Sequence, residues 1–173
     1  MRATVDRIRT WDERITAGFS KLPQVWPLDI FFGFFSLVGQ GGLVWFILAY
    51  RLQQTTRMDE LFLVLVTAQT LQFIVVGMGI KAAVRRMRPG VAKVALPLWK
   101  GWGDYSFPSG HAASSATAWV VISHFVPGAL LGTLIVAILC GLSRLYLHKH
   151  YFFDIVCGYL SGVLIGLFVI LFI

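Results

Sequence analysis

The stretch IVCGYLSGVLIGLFVILFI, residues 155–173, carries no charged side chain. As a helix rising 1.5 Å per residue it is long enough to cross a hydrocarbon layer of about 30 Å. Two further clear spans lie upstream, Leu28 to Tyr50 and Leu61 to Ile80. Two less regular ones stand between: His111 to Val126, short and carrying His124, and Gly128 to Leu147, ending in Ser143 and Arg144. Pro127 and Gly128 join these two as a tight helical hairpin. Composition agrees, since 57% of the 173 residues are hydrophobic and 13% charged, against roughly 25% charged in a soluble domain. A mean hydropathy of +0.75 excludes a water-soluble globule, because a domain of about 150 residues still leaves roughly 30% of its unfolded surface in water.

The net charge of +7 forms no continuous basic face, which points to anionic lipid headgroups and away from nucleic acid. Cys140 and Cys157 sit inside apolar runs, so neither a disulfide framework nor a zinc site is indicated. Ile8, Trp11, Ile15, Phe19 and Leu22 recur at steps of three and four among arginines and acids. That period describes an amphipathic helix lying in the headgroup plane. Pro23 and Pro27 break the helix before the first span. The first 25 residues hold no apolar signal-peptide core, so insertion is expected through the mature spans. Gly39, Gly41 and Gly42 are expected as close helix-packing sites. The expected architecture is all-α: a polytopic membrane bundle of about five transmembrane helices over residues 28–173, preceded by an interfacial helix within residues 1–27.

Two polar segments interrupt the apolar pattern, Lys81 to Gly110 and Ser143 to Asp154, and five spans place both on one side of the membrane. In the first, Lys81, Arg85, Arg86 and Arg88 are closed by Pro89. Lys81 and Arg88 are seven apart, so on a helix their long side chains can converge on one anion; taken alone, the segment reads more simply as a basic cluster that only anchors headgroups. In the second group, Pro108, Ser109, Gly110 and His111 precede an apolar run. Ser109 is placed as an N-cap, where free N–H groups suit a phosphate. Gly110 admits the anion to the backbone, and His111 stands beside it as proton donor; a plain helix cap with an interfacial histidine is the alternative. In the third, His150 and Asp154 are four apart, so on a helix the carboxylate fixes one imidazole nitrogen and leaves the other as a nucleophile. A structural polar bridge remains open for that pair. His148 and Lys149 are read as interfacial polar residues.

Together, an anion cradle, a proton donor and an oriented histidine on one membrane face are what phosphoryl transfer through a covalent histidine intermediate requires. The three groups closely resemble the signature of the type 2 phosphatidic acid phosphatase superfamily. They match as Lys81 with six residues to Arg88-Pro89, then Pro108-Ser109-Gly110-His111, then Ser143-Arg144 with five residues to His150 and three more to Asp154. The resemblance implies a metal-independent, cofactor-free lipid phosphatase in which His150 attacks phosphorus and Asp154 orients it. It further implies that His111 protonates the leaving oxygen, while Lys81, Arg88, Ser109, Gly110 and Arg144 hold the phosphoryl oxygens. The implied substrates are undecaprenyl pyrophosphate, phosphatidylglycerol phosphate, phosphatidic acid and lipid A 1-phosphate. Arg85 and Arg86, as extra cations, lean toward a large or doubly phosphorylated headgroup, unless one faces the membrane surface.

A soluble vanadium haloperoxidase shares the signature but not the membrane composition. A non-catalytic lipid-phosphate binder or transporter is the competing class, and the paired repeats usual in transporters are not visible. Thirteen of the 15 Lys and Arg lie in the N-terminal segment and the two site-bearing loops. The positive-inside rule would make that face cytoplasmic, yet Lys81, Arg88 and Arg144 are assigned to phosphate. The bacterial relatives that the chain resembles work on the extracytoplasmic face of the inner membrane, which is the expectation adopted.

Overall fold

Pro23 and the Pro27 ring separate the first two helices, α1 (Arg2–Phe19) and α2 (Trp26–Val38). Pro27 does not lie outside α2 as expected but occupies its first turn, where the missing N–H leaves no helical bond unmade. The computed structural model describes residues 2–89 and 105–173. Of the segment between Lys81 and Gly110, residues 90–104, Asp104 among them, lie outside the described residues.

The first expected span is not continuous. After α2 the chain turns at Gly41 and Gly42, whose φ values of 63° and 74° favour glycine, and α3 (Leu43–Thr56) departs at 66° to α2. Gly41 has no neighbour to pack against, so part of the glycine cluster works as a corner and not as the packing seam expected. Next comes α4 (Leu61–Val84), α-helical to Gln72, π-helical over Phe73–Ile80 and α-helical again from Lys81. The wider π turns rotate the last turn relative to the first half of the helix and so set the direction of Lys81. After the site-bearing segment come α5 (Gly110–Phe125), a 3₁₀ turn at Pro127–Ala129, α6 (Leu130–Tyr146) and α7 (Phe152–Ile170). Among the described residues the only extended pairing is an isolated bridge between Met87 and Tyr105.

Three helical segments, Leu61–Val84, Pro127–Tyr146 and Phe152–Ile170, are long and apolar enough to cross a membrane, and α2 with α3 makes a fourth as one bent span. Helix α5, expected as a span, has 16 residues and is the axis around which the others pack. Its sides are small: Ala112, Ala113, Ala116, Thr117 and Ala118 are all buried. Large apolar side chains such as Leu160, Leu164 and Phe168 of α7 and Leu131 and Ile135 of α6 point outward, which suits lipid and not water.

The α5–α7 seam fixes the distance between the two helix starts that carry the signature. Gly158, Gly162 and Gly166 recur every fourth residue and so share one face of α7. A Cβ at Gly158 would stand 2.6 Å from the Ser109 carbonyl oxygen, and one at Gly162 would fall on the Ala113 carbonyl. Thr117 Oγ donates to the Gly162 carbonyl at 3.0 Å across the same seam. Because backbone cannot yield as a side chain does, Gly162→Ala is expected to destabilise the protein by about 1–3 kcal/mol through overpacking. Thermal melting in detergent checks this, and an unchanged melting temperature would show that the seam is looser than described.

Candidate active site

Ser109 caps α5 as expected, with extended backbone and its Oγ accepting from the Ala112 N–H at 3.5 Å. Its own N–H donates to the Asp154 carbonyl at 2.8 Å. That bond ties the start of α5 to the start of α7, so the two signature segments meet at one end of the bundle.

His150 is buried and stands in the turn before α7, with Asp154 in the first turn of that helix. The expected i, i+4 pair on one helix is therefore not formed. Nδ1 of His150 lies 2.8 Å from the Ser106 carbonyl oxygen and 3.6 Å from Asp154 Oδ2. A carbonyl can only accept, so Nδ1 carries the hydrogen and Nε2 keeps its lone pair. At 3.6 Å the carboxylate acts through its charge and not through a hydrogen bond. Ser106 is itself fixed: its N–H donates to the Arg86 carbonyl at 2.7 Å, and its hydroxyl lies 3.2 and 3.1 Å from the Arg86 and Met87 carbonyls. Burial pushes the His150 imidazole below its ordinary pKa, with the Asp154 carboxylate opposing and the charges of Arg88 and Arg144 reinforcing the shift. A neutral imidazole is thereby favoured.

Arg86 does not join an anion cradle. Its guanidinium is clamped between Asp154 at 2.8 Å and Asp12 at 2.6 Å and lies over the Tyr151 ring at 3.8 Å. Arg85 is exposed, and its Nε donates to the Ala82 carbonyl at 2.9 Å. The expectation that these two cations favour a larger headgroup is thus overturned, because Arg86 is committed to two carboxylates and Arg85 turns away. Asp12 and Thr16 of α1 also receive the first N–H groups of α7, from Phe153 at 2.9 Å and Phe152 at 3.1 Å. Helix α1 therefore meets the protein through a polar stripe, while Ile8 and Trp11 remain exposed.

Opposite this clamp stand the other cations. Arg144, in the last turn of α6, is buried; one terminal nitrogen donates to Ser36 Oγ of α2, and its Nε has no partner among the described residues. Lys81 Nζ lies 4.0 Å from the position a Cβ on Gly110 would take. Among the described residues neither Lys81 nor Arg144 has a carboxylate within 4 Å. The charge of Arg88 acts on Lys81, Arg144 and His150 alike, which places all four around one spot. His111, in the first turn of α5, packs against Gly39: a Cβ there would be 3.0 Å from its Cδ2. Lys81, Gly110 and His111 wall one end of a cavity of about 500 Å³.

All eight residues singled out in the sequence thus lie in this region. Three contributors were missed. Ser36 and the Ser106 carbonyl have no sequence signal, but Asp12 with Thr16 is a polar i, i+4 pair on a helix that otherwise reads as solvated.

The PAP2 superfamily model matches residues 60–173. Phosphatidylglycerophosphatase B of Bacillus subtilis (strain 168) is 29% identical over 97 residues, 50% of this chain and 45% of that protein. The aligned part thus spans less than half the length of that relative. The crystal structure of a transmembrane PAP2 type phosphatidylglycerolphosphate phosphatase from Bacillus subtilis superposes with a TM-score of 0.77 at 20% identity, covering 96% of this chain and 86% of the other. Aquifex aeolicus LpxE gives a TM-score of 0.73 at 25% identity, covering 91% and 93%.

Removing the Asp12 carboxylate leaves Arg86 with one partner and strips the acceptor from the Phe153 N–H. Asp12→Ala is therefore expected to cost about 1–3 kcal/mol and to open α1 to trypsin at Arg14 and Lys21, whereas Asp12→Asn, which keeps an acceptor oxygen, loses less. Melting and limited proteolysis in detergent check both; wild-type protease resistance in Asp12→Ala would show that α1 docks by other means.

Proposed function

The chain belongs to the PAP2 superfamily, and from that premise we propose that it is an integral-membrane phosphatase acting on a phosphomonoester or pyrophosphate of a lipid headgroup. The single observation that carries this reading is the buried His150, its Nδ1 hydrogen engaged by the Ser106 carbonyl, beside the buried and incompletely paired guanidinium of Arg144. An imidazole so held has one nitrogen for nucleophilic attack and nowhere to rotate.

In the proposed reaction, His150 Nε2 attacks phosphorus, forming a P–N bond as the P–O bond to the lipid breaks. His111 gives its proton to the departing lipid oxygen. Water then attacks the phosphorus of the phosphohistidine and returns a proton to His111; the P–N bond breaks and inorganic phosphate leaves. Lys81, Arg88, Arg144, the Ser109 hydroxyl and the Gly110 N–H would hold the phosphoryl oxygens and neutralise charge as it shifts. The positive charge that develops on His150 would be met by Asp154, itself held by Arg86 and, through Arg86, by Asp12. No metal or cofactor enters this scheme. Phosphatidylglycerol phosphate leads the candidate substrates because of the Bacillus relative's activity, with phosphatidic acid, undecaprenyl pyrophosphate and lipid A 1-phosphate behind it. The site is assigned to the extracytoplasmic face of the cell membrane; labelling of Asp104→Cys by an impermeant thiol reagent in intact cells supports that side, and protection overturns it.

His150→Ala is expected to reduce phosphate release from lipid phosphates to about 1% or less and to abolish phosphate trapped on protein in a quench without acid; retention of most of the rate would refute the covalent route. Because burial lowers the His150 pKa, its neutral form persists as pH falls through about 6.5, so any acid limb that His150 imposes on kcat/KM should lie below that value. His111→Ala is expected to lose about 10²-fold or more on an alkyl phosphate but far less on p-nitrophenyl phosphate, whose leaving group needs little protonation. Equal losses would make His111 a phosphate ligand and not the acid.

A further inference from the structure

The cavity that begins at Lys81 and His111 continues between α3, α4 and α5 to Phe46 and Phe73. If it received only hydrocarbon, its wall would be apolar, since every polar group in a membrane interior must be hydrogen-bonded or lose its hydration without return. Beyond Lys81 and His111, Thr70 and three buried polar side chains nevertheless line it, the buried ones being Gln69 and Gln72, each 6% exposed, and Ser114, 7% exposed. Gln69 uses one N–H on the Ser114 carbonyl at 2.9 Å, and its amide has a second. The Ser114 hydroxyl is buried and has no hydrogen-bond partner among the described residues.

The broken span adds to this group. Helix α3 starts at Leu43 with no side-chain cap, and a Cβ on Gly42 would lie 3.5 Å from Ser114 Oγ and 3.8 Å from Gln69 Cδ. Irregular backbone at membrane depth persists only where protein buries it or a polar cavity receives it. Donors therefore collect along this stretch of the cavity wall: a hydroxyl, two primary amides and an uncapped helix start.

We propose that Ser114, Gln69 and Gln72 form a donor subsite for the acyl ester carbonyls of a glycerolipid phosphate whose phosphate is held at Lys81 and His111; the assignment rests on the phosphatase reading above. Ser114 stands three residues beyond His111 on α5, about 5 Å deeper along the axis. A glycerol ester carbonyl lies four or so bonds past the phosphate oxygen, about 5 Å away. Charge also selects this occupant. The deep wall offers neutral donors, suited to neutral carbonyl oxygens, whereas a second phosphate there would lose its hydration with no cation among the described residues lining that depth. An isoprenoid phosphate presents only hydrocarbon at that depth and leaves the donors unpaired.

The test compares matched diacyl and dialkyl-ether phosphatidic acids, farnesyl phosphate, farnesyl pyrophosphate and p-nitrophenyl phosphate as substrates of the full-length protein in detergent. The wild type should turn over the diacyl lipid with kcat/KM about tenfold above the diether, and Ser114→Ala and Gln72→Leu should each bring that ratio toward one. Equal rates on diacyl and diether lipids in the wild type, or a ratio unmoved in both variants, would overturn the subsite. Faster turnover of farnesyl pyrophosphate than of the diacyl lipid would overturn it as well and give the donors to a second phosphate. Hydrolysis of p-nitrophenyl phosphate without ester discrimination removes the subsite alone, whereas no hydrolysis of any of the five removes the phosphatase reading with it.

Discussion

Arg86 held between the carboxylates of Asp12 and Asp154 is the interaction on which the rest of the site depends. A guanidinium taken out of water is tolerable only against well-placed opposite charge, and two acids at 2.6 and 2.8 Å supply it. The same three groups connect four parts of the chain: α1 through Asp12, the segment after α4 through Arg86, the first turn of α7 through Asp154, and the Ser106 carbonyl through the Arg86 backbone. Two negative charges and one positive therefore sit behind His150, while Lys81, Arg88 and Arg144 lie before it. The buried imidazole rests neutral, with Asp154 placed to meet positive charge as it develops on the ring and the three cations placed to meet negative charge beyond it.

This charge arrangement needs a rigid frame, and hydrophobic burial supplies little of it among helices already in lipid. Close approach does. The glycines of α7 let the carbonyl edge of α5 come near enough for the Ser109 N–H to reach the Asp154 carbonyl, so the distance between the helix cap and the histidine turn is set by backbone against backbone. Position along the helices is then hard to alter by side-chain motion, which suits a site whose parts come from separate segments.

The spans and the signature were legible in the sequence because each depends on local pattern: uninterrupted hydropathy for the helices, fixed spacing for Lys81 to Asp154. What failed was direction. Leu28 to Tyr50 is apolar throughout, so hydropathy passes over a 66° corner; only the positive φ at Gly41 and Gly42 reveals it. Arg85 and Arg86 are indistinguishable in sequence, yet adjacent residues point to different sides, and only Arg86 finds the two acids. His150 and Asp154 have helical spacing, but the helix begins between them, and the imidazole bonds instead to a backbone carbonyl 44 positions away. A carbonyl leaves no trace in residue identity. Asp12 lay among arginines on a helix that reads as interfacial, and its pairing with Thr16 one turn on is the local sign that sets it apart from a solvated acid.

The contact between Asp12 and the start of α7 has a consequence for the making of the protein. Chains emerge from the ribosome N-terminus first, and Asp12 precedes its partner Phe153 by 141 positions. The first helix must therefore wait at the bilayer surface while the spans between are threaded, its exposed Ile8 and Trp11 giving it a place to rest there. Only when α7 is in place can α1 dock. The order of assembly is thus inverted relative to the order of synthesis: of these two helices the one translated earlier is fastened later, and the histidine turn gains its full support only once α7 is inserted.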